Sequence, residues 1–322
     1  MTEKKGIAVV GTLLVDNIYE IGAYPDLGEL TQIRSVRRAL GGLVPNNGIG
    51  IKKIAPRLPV YAVGKVGDDD LGRLAVAKME EAGVDVSTVT VSSTESTSFT
   101  DVMSIVGGQR TFFTYPGACA SFGAEDVPWD RLPVKMLHLG YFLLLEKVDG
   151  GEGRRILEEA KKRGMTTSID LVSENSDRYT CVIPCLTFVD NLIINELEAG
   201  KLCGIAPTPD NLGEMAQKLL SMGVRERVII HMPEIGICCN RNGSLTVRPS
   251  YELPRGYVKG KTGAGDAFCS GALIAIERGA TDEEILILAE AAAVASLSEA
   301  DATSGLCEEK FLPTCKEDLM RN

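Results

Sequence analysis

Histidine is scarce in this chain: His138 and His231 are the only two in 322 residues, which excludes a His-rich metal site. No run of about eighteen apolar residues occurs, and the nearest candidate, Ala289 to Leu297, is too short to span a bilayer. No membrane partner is therefore expected. Basic side chains are outnumbered, 34 against 44 acidic ones, for a net charge of −10 and a pI near 5.0. That balance opposes attraction to phosphate backbones and anionic lipid, so no nucleic-acid partner is expected either. The nine cysteines are an odd number, and neither Cys181/Cys185 nor Cys238/Cys239 has zinc-finger spacing or a nearby histidine. They read as reduced core thiols of a cytoplasmic protein. Met1 to Lys5 is polar and runs directly into an apolar stretch, so no export signal is expected. What remains is a well-provided globular composition, 44% hydrophobic and 24% charged with mean hydropathy +0.06, which excludes disorder and fibrous folds.

Short apolar runs recur at Ile7 to Gly11, Val60 to Gly64, Met136 to Leu139, Thr166 to Asp170, Leu192 to Ile194 and Val228 to His231. Between them lie segments with helical spacing at Asn46 to Ile54, Asp69 to Ala82, Gly151 to Arg163, Glu196 to Cys203 and Leu212 to Met222. Strand alternating with helix predicts an α/β fold whose parallel sheet is covered on both faces. Two β-rich segments, about 13–36 and 97–116, break the rhythm and predict a small lid, with a hairpin turn at Val106-Gly107-Gly108-Gln109. Two helical patterns, Gly265 to Arg278 and Asp282 to Ser298, close the chain. Without repeats, low-complexity tracts or a Pro/Gly-rich linker, residues 1–322 read as one domain.

The strongest local signal is Lys261-Thr262-Gly263-Ala264-Gly265-Asp266-Ala267-Phe268, a Gly-rich turn feeding a helix. Two glycines allow close approach of a ligand, and unsatisfied first-turn N–H groups with the positive end of the helix dipole make an anion hole. Asp266 at that helix start could take a proton from a hydroxyl. Equally, the turn could be only tight and Asp266 only a first-turn acid favoured by the dipole.

Three further motifs accompany this turn in the chain, Gly11 with Asp16, Gly41-Gly42 with Asn46, and Asn195-Glu196-Leu197-Glu198. With all four in this order, the chain resembles the ribokinase-like, or PfkB, family of carbohydrate kinases over essentially its whole length. The resemblance implies a three-layer α/β/α sandwich with a largely parallel central sheet and a small β-rich lid. It implies an ATP-dependent phosphotransferase acting on a hydroxyl of a small sugar or sugar-like substrate, with a nucleoside kinase or a catalytically weak sugar-binding regulatory protein as alternatives. In it, Asp266 is the general base, and the amides of Gly263, Ala264 and Gly265 hold the phosphoryl group. Asp16, Gly41, Gly42 and Asn46 bind the acceptor, a role that suits a carboxylate able to accept from a vicinal diol. Asn195 and Glu198, three apart at a helix start, hold the water shell of Mg²⁺, although the same pair would serve as a helix cap and capping-box acid.

The chain also departs from the family. Leu43, Val44 and Pro45 replace smaller residues between Gly42 and Asn46, which would narrow the acceptor pocket. In the nucleotide turn His231-Met232-Pro233-Glu234-Ile235-Gly236 only the final glycine survives, and Glu234 would face phosphates. Gly260 stands where relatives carry an acid for a monovalent cation, and Lys261 is a candidate to replace that cation. Asp170 matches an acid at a family strand end, with Val172 in place of a following Asn. Ser98, Asp101, Phe112 and Tyr115 of the lid face either substrate or a second copy in a homodimer. His138 and His231 read as satisfied core histidines, and Trp129 as packing.

Overall fold

The computed structural model describes residues 4–105 and 110–313. The turn expected at Val106 to Gln109 lies outside the described residues. Eight strands form the main sheet: β1 (Ile7–Val10), β4 (Val60–Val63), β9 (Met136–Phe142), β10 (Thr166–Leu171), β11 (Asn191–Asn195), β12 (Arg227–His231), β13 (Ile235–Asn240) and β14 (Leu245–Pro249). Their order is β14-β13-β12-β11-β10-β9-β1-β4. The pairs from β4 through β12 are parallel, and β13 and β14 add an antiparallel edge. The sheet is thus largely rather than wholly parallel. That edge hairpin needs no helical crossover, which is why a βαβ rhythm does not announce it.

Helices α1 (Leu43–Ile54), α2 (Asp70–Glu81), α7 (Ala264–Arg278) and α8 (Asp282–Ser296) bury their apolar sides in one core; Ile51, Met79, Leu273 and Leu286 all belong to it. Helices α4 (Gly153–Lys162), α5 (Glu196–Cys203) and α6 (Leu212–Ser221) bury theirs in a second core that includes Leu157, Leu202 and Leu219. Two cores separated by one sheet make the three layers. Helix α1 starts three residues before the expected Asn46 because Gly42, at φ 88, turns the chain there and a Cβ would sit 2.7 Å from the Thr12 carbonyl. Thr12 then accepts from the Leu43 amide through Oγ1 at 2.9 Å and from the Val44 amide through its carbonyl at 3.0 Å.

The lid is a separate four-stranded sheet of order β3-β2-β7-β8, from β2 (Leu14–Ile21), β3 (Ile33–Gly41), β7 (Ser98–Ile105) and β8 (Arg110–Tyr115). Its first segment extends past residue 36 to Gly41, so the lid strand delivers the chain directly into α1. A two-stranded parallel pair, β5 (Lys65–Gly67) with β6 (Thr90–Ser92), and the single turn α3 (Gly117–Ala120) flank the lid root, where Asp69 caps α2 and also accepts from Thr97. No described helix is long and apolar enough to cross a membrane. All eight described cysteines are unpaired and six of them are buried, as core thiols should be.

Candidate active site

Parallel strands deliver their carboxyl ends to one side of the sheet, and an open α/β sheet offers its crevice there. Tyr141 and Asp170 stand near the ends of β9 and β10, where the pairing shifts register, and Asn195 and His231 end β11 and β12 in register with each other. Helix α7 points its N-terminus at the same place. Gly263 caps that helix at φ 77, and a Cβ there would stand 2.2 Å from the Ala302 Cβ, so only glycine fits. Ala264, not Gly265, is the first helical residue.

Asp266 is buried just inside this terminus. Asn46 Nδ2 donates to its Oδ2 at 2.9 Å, and the Tyr141 phenol donates to both carboxylate oxygens at 2.9 Å. Burial, with a smaller contribution from the charge of Asp170, pushes the Asp266 carboxyl up to about 7. The two donors act in the opposite direction, because they favour the ionised form. Tyr141 is held in turn by its own amide, which donates to Asp170 Oδ1 at 2.7 Å, and it sits at φ 58, where non-glycine residues are uncommon. No sequence motif marks Tyr141; a lone aromatic after Gly140 gives no signal until β9 and α7 are brought together.

Asn195 and Glu198 make both halves of a capping box at the start of α5: Glu198 N donates to Asn195 Oδ1 at 2.9 Å, and Asn195 N to Glu198 Oε2 at 3.1 Å. The Asn195 amide and the Ser173 hydroxyl also donate to Glu198 Oε1, each at 2.9 Å. The Glu198 carboxyl is nonetheless pushed up to about 8 by burial, and no Lys or Arg pairs with it among the described residues. A buried, oxygen-only donor set short of positive charge fits a hard cation such as Mg²⁺.

These groups share one cavity of 280 Å³, lined by Tyr141, Asp170, Asn195, Glu198, Gly263, Gly265 and Asp266. A second cavity of 440 Å³ shares Asn195, His231 and Gly265 with the first and runs between the β12–β13 edge and α8, with a mainly apolar lining that includes Phe268, Val294 and Leu297. Gly236, Ala264 and Lys261 line it as well, whereas Glu234 is exposed and does not.

The acceptor residues are brought together less completely. Asn46 reaches Asp266, but Asp16, Gly41 and Gly42 line neither cavity. Asp16 lies on β2 against Gly41, where a Cβ would come within 2.6 Å of Oδ2; its half-buried carboxyl is pushed up to about 6 by burial. Between lid and body lies a third cavity, of 680 Å³, bounded by Leu14, Ser98, Tyr115, Leu143, Asp149 and Arg178.

A family model for the pfkB family carbohydrate kinases matches residues 4–309. The chain belongs to the pfkB family of carbohydrate kinases. It is a phosphotransferase. It is 26% identical over 292 residues to a ribokinase of Arabidopsis thaliana, covering 89% of this chain and 74% of that one. To an adenosine kinase of Saccharomyces cerevisiae it is 25% identical over 282 residues, 84% and 81% of the two chains. Among solved structures, Arabidopsis thaliana ribokinase complexed with ribose and ATP superposes with a TM-score of 0.81 at 23% identity, covering 96% and 97% of the chains. The nucleoside kinase of Methanocaldococcus jannaschii gives 0.76 at 17% identity over 99% of each. Both structural likenesses speak to the fold alone.

Several expectations about this kinase change with the structure. Leu43 and Val44 do not narrow a pocket, because both are fully buried in the α1/α7 core and Leu43 packs beneath Gly140. His231 is not a satisfied core histidine: it is half-buried, its ring lies 4.6 Å from that of Phe268 with no side-chain hydrogen bond among the described residues, and burial lowers it to about 4. Its neutral imidazole lines both cavities. His138 is a core residue with partners. Trp129 packs on the second core beneath the Arg163 guanidinium, as expected. In the lid, Ser98 is buried and turned inward, Asp101 accepts from Asn17, and Phe112 and Tyr115 are exposed. Gly260 packs on the backbone of 299–300, so an acidic side chain has no room at that position.

Proposed function

We propose that the kinase transfers the γ-phosphoryl of ATP to a hydroxyl of a small sugar or sugar-like substrate in the cytoplasm. The observation that carries this reading is Asp266: a carboxylate buried at the N-terminus of α7, in one cavity with Gly263, Gly265, Asn195 and Glu198. Asp266 takes the proton of the acceptor hydroxyl, and its elevated pKa near 7 suits a base working at neutral pH. Asn46 and Tyr141 hold its carboxylate in place. The amides of Gly263, Ala264 and Gly265 stabilise charge on the phosphoryl oxygens. Asn195 and Glu198 would hold Mg²⁺ through its water shell, and the ion would supply charge neutralisation to the phosphates when bound. The purine occupies the 440 Å³ apolar cavity past Gly236, and Lys261, which lines it without an ion pair among the described residues, reaches the phosphates in place of a monovalent cation. Asp16 accepts from acceptor hydroxyls, and lid closure over a single kinase domain excludes water.

A nucleoside acceptor is the second reading, favoured by the 25% identity to an adenosine kinase over 84% of this chain. The exposed apolar residues of the lid, Leu27, Leu30, Phe112 and Phe113, support a homodimer formed through it. A coupled ADP-release screen against pentoses, hexoses, keto-sugar acids, polyols and nucleosides tests the activity. ADP release with none of them would overturn both acceptor readings.

A further inference from the structure

Directly beneath Asp266 lies a second group of chemistry-bearing side chains that phosphoryl transfer does not use. In the parallel pairing of β9 with β10, His138 stands opposite Ser168, and both face α7. Ser168 Oγ lies 2.8 Å from His138 Nδ1, which fixes the ring and directs Nε2 to the other side. There Nε2 is 3.5 Å from Cys269 Sγ on α7 and 3.5 Å from Asp170 Oδ2. The three residues are 0%, 2% and 7% exposed, and their ligand atoms all lie within 4.8 Å of one another.

This arrangement is poor as a hydrogen-bond network. The single Nε2 position cannot serve a thiol and a carboxylate together, and 3.5 Å is long for an imidazole–carboxylate bond. Asp170 pairs with no Lys or Arg among the described residues, yet buried charges are normally paired or bound to metal. Beside Cys269 sits the fully buried Asn47 side chain, whose amide faces the thiol and favours its ionised form.

The two separations from His138 Nε2, both 3.5 Å, match a tetrahedral metal, and the thiol and carboxylate lie within 4.8 Å of each other, near enough to close on one ion. With metal–nitrogen and metal–oxygen bonds of about 2.0–2.2 Å and a metal–sulfur bond of about 2.3 Å, neighbouring ligand atoms stand roughly 3.3–3.7 Å apart. A thiolate, an imidazole and a carboxylate select a borderline-soft ion over Mg²⁺ or Ca²⁺. Ser168 supplies the outer contact on Nδ1 that metal-bound histidines usually have. Access exists, because Asp170 and Cys269 line the 280 Å³ cavity.

We propose that His138 Nε2, Asp170 Oδ2 and Cys269 Sγ form a Zn²⁺-class site in the floor of the active-site cavity, with its fourth position open toward that cavity. Binding displaces the thiol proton to solvent. The proposal does not depend on Asp266 acting as a base, and its test does not read activity.

The full chain, stripped with chelator and kept in excess Mg²⁺ so that hard-cation positions are filled, is titrated with Zn²⁺ and, in parallel, with Co²⁺. Wild type should bind one ion per chain and show a sulfur-to-cobalt charge-transfer band. Cys269→Ser should lose the band and weaken Zn²⁺ at least about thirtyfold, and Asp170→Asn should weaken it about tenfold or more. Equal Zn²⁺ affinity in wild type and Cys269→Ser, or a band that survives the substitution, would overturn the site and leave half-buried Cys181 or Cys307 as adventitious ligands. If Cys269→Ser does not fold, X-ray absorption of Zn²⁺-loaded wild type decides. One sulfur with nitrogen or oxygen neighbours supports the site, and a shell without sulfur removes it.

Discussion

Asp266 has two donors on a carboxylate that burial would otherwise neutralise, and this competition makes its behaviour testable. Asp266→Asn should lower kcat by on the order of a hundredfold or more while acceptor Kd stays within a few fold, since a general base acts mainly in the transition state. Tyr141→Phe is the finer experiment. The phenol stabilises the ionised carboxylate, so its removal should raise the Asp266 pKa further above about 7. The base works deprotonated; the acidic limb of the kcat–pH profile should therefore move to higher pH, with the alkaline plateau largely kept. An unshifted limb would show that the phenol only packs. Asp16→Ala should instead weaken acceptor binding, by roughly 1.5–3 kcal/mol if its carboxylate accepts charge-assisted hydroxyl bonds, as read by titration calorimetry.

At the scale of elements, one helix start serves two ends. The Asn195–Glu198 capping box stabilises α5, so Asn195→Ala should cost about 1 kcal/mol of stability by denaturant unfolding. If the pair also orders the Mg²⁺ water shell, the substitution should raise the Mg²⁺ concentration for half-maximal rate; cap loss alone would leave that concentration unchanged. The strand–helix alternation and both glycine-rich helix starts were legible in the sequence because periodicity and turn chemistry are local. The antiparallel β13–β14 edge was less so, since it repeats no crossover. Tyr141 and the His138–Asp170–Cys269 group were not legible as a site. His138 and Cys269 are 131 residues apart, and only sheet register and the docking of α7 make them neighbours. His231 misled for the converse reason: an apolar strand predicts burial, but its last residue projects into the crevice.

Across the whole molecule, lid and body already touch at the anion-hole turn, where Arg110 donates to Thr262 Oγ1 at 3.3 Å. Four carboxyls in and beside the crevice are held above their ordinary range by burial: Asp266 and Glu290 to about 7 and Glu198 to about 8 within its cavities, and Asp16 beside them to about 6. A raised carboxyl pKa means that the folded state binds protons the unfolded chain has released. The stability these groups contribute is fully present below about pH 4, where both states are protonated, and is lost as pH rises through about 6 to 8. The ligand-free kinase should therefore be measurably more stable at pH 5 than at pH 8, with Tm by calorimetry falling by several degrees across that window. Asp266→Asn should flatten the slope, because its amide titrates in neither state. Cations that satisfy the crevice, Mg²⁺ with nucleotide among them, should raise Tm more at pH 8 than at pH 5, since they replace the protons lost. A Tm that rises from pH 5 to pH 8 in the absence of ligands would mean that these carboxyls are solvated in the free protein and that the crevice is not closed at rest.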